Sequence, residues 1–395
     1  MRYTKLLVLF LALIFVVMGC SKQDKTIVAK INDQTVTWKE YNDVLTYYLD
    51  QYGITDVNDA ANAETVSYLK TSILDSLIDE KVQYVKAVEL GLDVLTDDDK
   101  DQIELSVIQL TDNWKNQFNA QAASQYANHS EQQQIDKARE MYADFVKNTG
   151  YTDEYVTEIE TRRLILNKLF NQVTEGVEPD EEQLQAAYAE NLQYAKEEYA
   201  ETPSYYENDC LDDSMLIYYH PPGFRRVKHI LIGIVDTVAN EIMGLRRDGD
   251  NAAADAMRDE ALQGIRGEAE EVLASLKADG SNFDEVMYAK SIDPGSLNYP
   301  GGYVTYEGST TFVPEFVAGV FAIDKVGDIS PLIGTDYGYH IIRWEEDIES
   351  REVPYEDVQY MLRQQVWDAN RSEMFGELVT QWYDEMTIER FEDRL

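Results

Sequence analysis

Apolar residues between positions 38 and 199 recur every three or four positions, which is the spacing of helices with one buried face. The clearest case is residues 64–91, where the apolar stripe stops at a glycine, as is typical of a helix C-terminus. Before this region, residues 27–37 predict a short β-hairpin that turns at Asn32 and Asp33. The pattern therefore indicates a hairpin followed by a mostly helical region.

Local signals mark boundaries within this helical region. Thr96 precedes three aspartates, which is typical of a helix N-cap with acids in the first turn. Pro179 predicts the first position of a further helix, where the missing N–H of proline costs nothing. Residues 119–135 are rich in Gln, Asn and Ala and predict a loop or a frayed helix.

The hydrophobic period changes after residue 200. Residues 200–224 are rich in tyrosine, acids and proline and predict a connector. Helix returns from Tyr355 onward, and we expect it to pack with the first helical region, so that the middle unit is an insertion. The elements expected between them are a strand at 226–232, helices at 260–278 and 283–291, a turn at 301–302, a helix at 313–322 and a strand at 339–343. This order predicts an α+β unit, with helices packed on a small antiparallel sheet.

The first twenty residues indicate where the protein works. Two basic residues precede an apolar run at residues 6–18, and Gly19 stands directly before Cys20. This order is typical of a secretory signal, and the run is shorter than the ~20 apolar residues of a transmembrane helix. The cysteine at the cut site resembles a bacterial lipobox, which implies an extracytoplasmic protein anchored to the cell membrane by a lipid on Cys20. An ordinary signal peptide with an incidental cysteine is the alternative.

Acidic residues greatly outnumber basic ones, and the formal net charge of the chain is −40. This charge excludes nucleic acid as a partner and favours basic clients or divalent cations, although solubility is its simplest interpretation. Besides Cys20 the chain contains one cysteine, Cys210. No intramolecular disulfide is therefore predicted, and stability must come from packed cores.

The middle unit contains a series of recognisable segments. They are Val227–Leu231, Phe283–Ser296, Gly301–Gly302, Phe312–Phe316, Val326–Ser330 and Thr335–Ile342. In order and spacing they resemble the parvulin family, whose helix and turn are usually written F-x-x-L-A-x-x-x-S-x-D-x-G-S. One such segment would be weak evidence, but the series together implies a parvulin-like fold and a peptidyl-prolyl cis/trans isomerase that needs no cofactor.

The resemblance also implies the residues of an active site. His229 and His340 would face each other, and Asp293 stands where relatives have aspartate or cysteine. We expect these three to form a catalytic hydrogen-bond network, and attack by Asp293 as a nucleophile is the alternative. Val304, Phe312 and Phe316 match the apolar pocket for the substrate proline ring, and Thr335 and Tyr337 lie in the segment that borders the site.

Prolyl isomerisation suits these residue types. Rotation about a peptide bond costs about 18–20 kcal/mol because the C–N bond has partial double-bond character. The two isomers of an X–Pro bond differ by only about 0.5–1 kcal/mol, so the bond is nearly balanced but slow. A catalyst must therefore favour the twisted amide. An apolar pocket can hold the ring and remove water, while nearby polar groups favour the twisted form.

Each of these residues also has an ordinary interpretation. A strand histidine alone is more often structural, phenylalanines four residues apart are usual in a helix core, and Asp293 is also compatible with a turn. Two histidines and an aspartate suit zinc, but the HExxH spacing is absent and no metal is predicted. The sequence also departs from the family pattern in two places. Residues 301–305 read Gly-Gly-Tyr-Val-Thr where G-G-D-L-G is common, and the segment at residues 235–260 is longer than is typical of the family.

The order of lipobox, helical region, parvulin-like unit and C-terminal helix resembles extracytoplasmic foldases of the PrsA type and, more distantly, the SurA chaperones. Residues 77–82 are similar to a helix of their N-terminal domains. The predicted organisation is a signal peptide at 1–19, a helical chaperone domain at 20–222, a parvulin-type domain at 223–347, and a C-terminal helix at 348–395 that packs on the chaperone domain.

The predicted function is that of a peptidyl-prolyl isomerase and chaperone that helps newly secreted, unfolded polypeptides with X–Pro bonds to fold. Two alternatives stay open: a holdase chaperone whose isomerase unit is weak or inactive, and a lipid-anchored protein that binds or adheres to a fixed partner. An isomerisation assay on a proline peptide separates the first alternative from the prediction. A homodimer is compatible with the sequence.

Overall fold

The computed structural model describes residues 24–395, so the predicted signal peptide and Cys20 lie outside the described residues. The chain divides into two compact units. The first unit contains the described residues up to Val177 together with Ala369–Leu395, and the second unit contains Glu178–Asp368. No helix among residues 24–395 is both long enough and apolar enough to cross a membrane.

The first unit combines helices with a small antiparallel sheet. Its strands are β1 (Ile27–Ile31), β2 (Gln34–Thr37) and β9 (Ile388–Arg390), and β1 pairs with both of the others. Its helices are α1 (Trp38–Gln51), α2 (Ala63–Glu89), α3 (Asp97–Gln125), α4 (Glu131–Thr149), α5 (Asp153–Val173) and the end of α13 (Tyr355–Glu385), with 3-10 turns at Ala60–Asn62 and Glu392–Arg394. One hydrophobic cluster contains Leu74, Ile78 and Trp382, so α2 and the C-terminal helix share a core. The predicted hairpin and helical region are confirmed.

Side-chain caps explain where several of these helices begin. Thr37, Thr96 and Ser130 each accept a hydrogen bond from the backbone N–H three residues later and complete a capping box. The predicted cap at Thr96 is therefore confirmed. Of the two alternatives predicted for residues 119–135, a loop is wrong for most of the segment and helix is the outcome, because α3 continues to Gln125 and α4 starts directly after Ser130. The Ala and Gln residues of the segment are good helix formers, which favours this outcome.

The second unit is an α+β unit, as predicted. Its elements are α6 (Glu181–Glu201), α7 (Pro203–Asp209), β3 (Tyr219–His220), β4 (Phe224–Gly233), α8 (Asp236–Arg247), α9 (Asn251–Ser275), α10 (Phe283–Lys290), α11 (Gly295–Asn298), β5 (Tyr303–Tyr306), α12 (Pro314–Phe321), β6 (Ile333–Thr335), β7 (Gly338–Asp347), β8 (Arg351–Glu352) and the start of α13. The main sheet has the order β5–β4–β7–β6, and every pair in it is antiparallel. A separate two-stranded sheet joins β3 to β8.

The two faces of the main sheet are covered by different hydrophobic clusters. Side chains alternate between the faces of a strand, so Ile230 and Ile341 lie in one cluster with α9 and α10. Val227 and Ile342 lie in another with α12. This alternation leaves His229, which is odd-numbered like Val227, on the α12 face of β4.

Three expectations for the second unit need correction. Pro179 does not start a helix, because Asp180 caps α6 and the first helical residue follows it. The expected connector at residues 200–224 contains α7 and β3. Residues 235–260 form α8 and the start of α9, which the sequence pattern did not predict.

The division into units also differs from the predicted boundary between residues 222 and 223. Residues 178–222 group with the sheet, because Leu184 and Tyr206 share a hydrophobic cluster with Phe224 of β4 and Val304 of β5. The same cluster contains Leu362, which lies at the start of α13. The second unit is therefore larger than the predicted segment 223–347.

Candidate active site

The two central strands of the main sheet bring His229 and His340 together. Strands β4 and β7 are antiparallel, with His229 opposite Ile342 and Leu231 opposite His340. The two histidines are therefore diagonal neighbours on one face of the sheet, close enough for long side chains to meet. Their rings are nearly parallel, with centroids 5.1 Å apart, and both side chains are buried.

A chain of hydrogen bonds runs through both histidines. The Nδ1 atoms of His229 and His340 are 2.9 Å apart, His229 Nε2 lies 2.9 Å from Asp293 Oδ2, and His340 Nε2 lies 3.0 Å from the hydroxyl oxygen of Thr335. The carboxylate of Asp293 can only accept, so it requires a proton on His229 Nε2. When Nε2 carries the only ring proton of His229, its Nδ1 accepts from His340 Nδ1, and the Thr335 hydroxyl donates to His340 Nε2.

Burial, together with the neighbouring His229, lowers the pKa of His340 to about 3. At neutral pH the His340 ring is therefore neutral. A neutral His340 ring donates from only one of its two nitrogens, as the hydrogen-bond chain described above requires. His340 consequently takes part in the site as a neutral hydrogen-bonding group.

Asp293 is held by four donors from three residues. Besides His229, its Oδ2 atom accepts from the Tyr303 hydroxyl at 2.8 Å, the Ser296 backbone N–H at 2.9 Å and the Ser296 hydroxyl at 3.2 Å. Burial alone would raise the pKa of Asp293, but its bond to and attraction by His229, with the bonds from Tyr303 and Ser296, hold that pKa well below its usual range. Asp293 is therefore ionised at any pH near neutral.

The glycine of the turn after Asp293 leaves room for Tyr303. A Cβ atom at Gly295 would lie only 1.4 Å from the Tyr303 hydroxyl oxygen. Burial and the adjacent Asp293 carboxylate raise the pKa of Tyr303, so its hydroxyl keeps its proton and remains a donor.

An aromatic wall stands against the histidine pair. The Phe316 ring lies 5.2 Å from the His229 ring and 5.3 Å from the His340 ring, measured between centroids. Phe312 lies 5.5 Å from Phe316 and 5.4 Å from Tyr303. Phe316 is on α12 and Phe312 is on the preceding loop, so apolar rings and polar network share one region of the α12 face.

The structure brings together most, but not all, of the site residues that the sequence predicts. His229, Asp293, His340, Thr335, Phe312 and Phe316 are connected by the contacts above. Val304 is not, because it lies in the cluster with Tyr206 and Phe224. Tyr337 is 43% exposed, and its contact with the network is made by its backbone N–H, which donates to the Thr335 hydroxyl at 3.1 Å.

Sequence reasoning missed Tyr303 and Ser296. The alternation of side chains along a strand could have identified Tyr303, because adjacent residues of β5 point to opposite faces of the sheet. Tyr303, and not Val304, lies beside Phe312. Ser296 is the last residue of the quoted helix-and-turn motif, yet its bonds to Asp293 and to the His229 backbone oxygen at 3.3 Å cannot be read from spacing.

Among residues 24–395 there is no group of three or more His, Cys, Asp or Glu side chains arranged to hold a metal ion. In the network itself, each ring nitrogen of His229 and His340 already has a hydrogen-bond partner. The arrangement is therefore built for hydrogen bonding next to an apolar surface.

Comparison with protein families identifies both parts of the chain. Residues 229–346 match the PPIC-type PPIase domain, and residues 2–127 match the SurA-like N-terminal domain. The first match begins at His229 and includes every residue of the network. Together, fold and site define a peptidyl-prolyl cis/trans isomerase of the parvulin class.

The chain is also a homologue of the foldase proteins named PrsA. It is 23% identical over 379 residues to the foldase protein PrsA of Clostridium botulinum strain Hall, covering 94% of this chain and 90% of that protein. It is 23% identical to the PrsA of Clostridium kluyveri, covering 97% and 95%. The crystal structure of PrsA from Bacillus subtilis matches 91% of this chain and 93% of that chain, with 17% identity and a TM-score of 0.25.

Proposed function

We propose that His229, His340, Asp293 and Thr335 form the polar half of a prolyl-isomerase active site, and that Phe312, Phe316 and Tyr303 form its apolar half. The observation that carries the proposal is the hydrogen-bond chain from Thr335 to Asp293, which runs beside the Phe316 ring within the residues that match the isomerase domain. The substrate is an X–Pro bond in an unfolded polypeptide.

The aromatic half would bind the proline ring. A ring held between Phe312 and Phe316 loses contact with water on its apolar faces, and the adjacent amide loses part of the solvation that favours its planar, charge-separated form. Removing that solvation favours the twisted amide, in which nitrogen is no longer conjugated with the carbonyl group.

The polar half would favour the same twisted state. Because Tyr303, Ser296 and His229 all donate to Asp293, the charge of its carboxylate is fixed in place and needs no reorganisation during rotation. The histidine pair holds a single pattern of donors and acceptors. Rotation about the bond involves no bond making or breaking, so no cofactor enters the proposal.

The pocket assignment is tested by two phenylalanines of the same helix. Phe316→Ala removes the ring that contacts both histidines, so we expect kcat/KM on an X–Pro peptide to fall at least about tenfold. Phe321→Ala is the matched control, because Phe321 contacts the guanidinium of Arg225 and not the histidines. Equal losses in the two variants, both folded by circular dichroism, would refute the pocket assignment.

We also propose that the protein acts outside the cytoplasm as a foldase for secreted chains, anchored by a lipid on Cys20. The signal-like residues 1–19 and the foldase relatives support this proposal. Cys20→Ser should move the protein from the membrane fraction to the soluble fraction of cells. Retention in the membrane fraction would contradict the lipid anchor. A homodimer stays a prediction, which light scattering of the purified chain tests.

A further inference from the structure

Glu207 is a buried carboxylate to which the proposed mechanism gives no role. It lies on α7 of the second unit and is 0% exposed. Its Oε1 atom accepts hydrogen bonds from the Thr305 hydroxyl at 2.7 Å and the Tyr306 backbone N–H at 3.3 Å. Its Oε2 atom accepts from the hydroxyls of Ser309 at 2.8 Å and Thr311 at 2.7 Å.

All four donors belong to one short stretch of chain. Thr305 and Tyr306 end β5, which is an edge strand of the main sheet. Ser309 and Thr311 belong to residues 307–313, which lead from β5 to α12 and which we call the pocket loop. Glu207 therefore fastens the end of β5 and the middle of the pocket loop to α7.

The pocket loop carries Phe312, one of the two phenylalanines of the aromatic wall. Phe312 directly follows Thr311, and its ring lies 5.5 Å from Phe316 and 5.4 Å from Tyr303. The loop has no regular secondary structure between Tyr306 and Pro314. The bonds to Glu207 are thus the connection between this loop and the folded layer formed by α7.

Burying a carboxylate costs more free energy than burying an apolar side chain of similar size. Removing it from water carries a large desolvation penalty, which its hydrogen bonds must offset. An apolar side chain at this position would avoid that penalty. What the carboxylate supplies, and an apolar group does not, is a fixed direction for four donors next to Phe312.

We propose that Glu207 is a positioning residue of the isomerase site, which holds the pocket loop so that Phe312 stands at the correct distance from Phe316 to receive the proline ring. The inference rests on the proposed function, because it concerns the same pocket. Glu207 acts through Phe312 and does not touch the substrate. A loosened loop would weaken binding of the proline ring equally in the planar and the twisted state of the amide, because Phe316 and the His229 network stay in place. KM is therefore the parameter that should change.

Three variants of the full chain test this role. Glu207→Gln keeps the size and one accepting oxygen, Thr311→Val breaks only the bond nearest to Phe312, and Asp209→Asn is the control. Asp209 is also on α7, but its carboxylate accepts from Tyr199 at 2.7 Å and is not bonded to the loop. Because Thr311 lies at the surface, Thr311→Val tests the idea even if variants of Glu207 fail to fold.

In Glu207→Gln and Thr311→Val we expect KM for an X–Pro peptide to rise about three- to tenfold while kcat changes less than about twofold. Hydrogen exchange of the backbone amides in residues 306–313 should become about tenfold faster in Glu207→Gln, because the Tyr306 N–H loses part of its acceptor. Asp209→Asn should leave KM and exchange in this loop at wild-type values.

The positioning role is overturned if hydrogen exchange in the pocket loop of Glu207→Gln stays at the wild-type rate. It is also overturned if KM rises as much in Asp209→Asn as in Glu207→Gln. The exchange measurement does not depend on catalysis, so it separates this inference from the proposed function. An inactive wild-type chain overturns the proposed function, and the positioning role with it. An active wild type whose KM is unchanged in Glu207→Gln and Thr311→Val overturns only the role of Glu207.

Discussion

Thr335 lies at the end of the hydrogen-bond chain that runs through both histidines. Its side chain is fully buried, and its hydroxyl faces His340 Nε2 at 3.0 Å and the Gly338 backbone oxygen at 3.4 Å. When Nδ1 of the neutral His340 ring donates to His229, its Nε2 accepts, and the Thr335 hydroxyl is the donor. The Thr335 hydroxyl therefore completes, at the far end, the order of donors and acceptors that Asp293 imposes on the two histidines.

Thr335→Val tests this dependence with almost no change of shape. It leaves His340 Nε2 buried without a donor, so we expect kcat/KM to fall about tenfold, which corresponds to losing one buried hydrogen bond of about 1.4 kcal/mol. Thr335→Ser keeps the hydroxyl and should retain most of the activity. Equal activity of the valine and serine variants would show that the network does not need the Thr335 hydroxyl.

The low pKa of His340, about 3, makes the stability of the second unit depend on pH. An exposed histidine has a pKa near 6.5, so between about pH 6.5 and 3 the unfolded chain binds a proton that the folded chain does not. Neutral His340 therefore makes its full contribution to the free energy of unfolding above pH 6.5, and this contribution is lost as the pH falls towards 3. We expect the free energy of unfolding of His340→Phe, measured with urea at pH 4 and pH 7, to depend less on pH than that of the wild type. An identical pH dependence in both would contradict this.

At the scale of elements, the site depends on two strands and one turn. The antiparallel register of β4 and β7 places the histidines on one face. The turn before β5 is tight, because Gly302 has a φ of +86° and a Cβ atom there would lie 2.3 Å from the Val227 backbone oxygen. Only glycine meets both conditions, and the turn sets the start of β5, which carries Tyr303.

Gly302→Ala should therefore destabilise the second unit by about 1–3 kcal/mol or more, since alanine is strained at positive φ and the backbone must move. Gly301→Ala provides the control, because nothing lies within 4 Å of a Cβ atom at Gly301. Urea unfolding measures the difference. Equal stability of the two variants would mean that the turn adapts without strain.

At the scale of the whole molecule, each unit contains a buried titratable group, and the two groups change stability with pH in opposite directions. In the first unit, burial raises the pKa of Asp43 to about 6, although Lys39 pairs with it. The folded state therefore holds a proton that the unfolded state releases between about pH 4 and 6, so this contribution to stability is lost as pH rises. The effect has the opposite sign to that of His340.

Asp43→Asn removes this titration. Relative to the wild type, we expect the variant to gain about 1–3 kcal/mol in the free energy of unfolding of the first unit between pH 4 and pH 7. Thermal or urea unfolding at the two pH values measures the change. A wild-type-to-variant difference that is the same at both pH values would contradict a raised pKa for Asp43.

The sequence predicted the parts of the molecule that depend on local pattern or on a motif. The α+β class, the hairpin at residues 27–37 and the cap at Thr96 follow from periodicity and local chemistry. The meeting of His229, His340 and Asp293 follows from the family resemblance, because these residues are 64 and 111 positions apart along the chain and no local pattern joins them.

What the sequence did not predict depends on tertiary packing. Residues 178–222 join the second unit because Leu184 and Tyr206 complete a core with Phe224. The sequence pattern instead placed them in the first helical region and in a connector at residues 200–224. The family resemblance places Val304 in the pocket, but in the folded strand β5 it is Tyr303 that packs on the Phe316 side and Val304 that packs with Phe224. Glu207 carries no motif, since its role consists of bonds to residues about 100 positions away.

The central claim is that a polar network anchored on Asp293 makes this chain a prolyl isomerase, and the most direct test is kcat/KM of the full chain and of Asp293→Asn on an X–Pro peptide. The account predicts that the wild type accelerates isomerisation well above the spontaneous rate. Asp293→Asn should lose about tenfold or more in kcat/KM, because its amide brings no charge to the network. Asp284→Asn, whose carboxylate binds Lys228 at 2.9 Å outside the network, should keep wild-type activity. A folded wild type that does not exceed the spontaneous rate, or an Asp293→Asn variant as active as Asp284→Asn, would contradict the account.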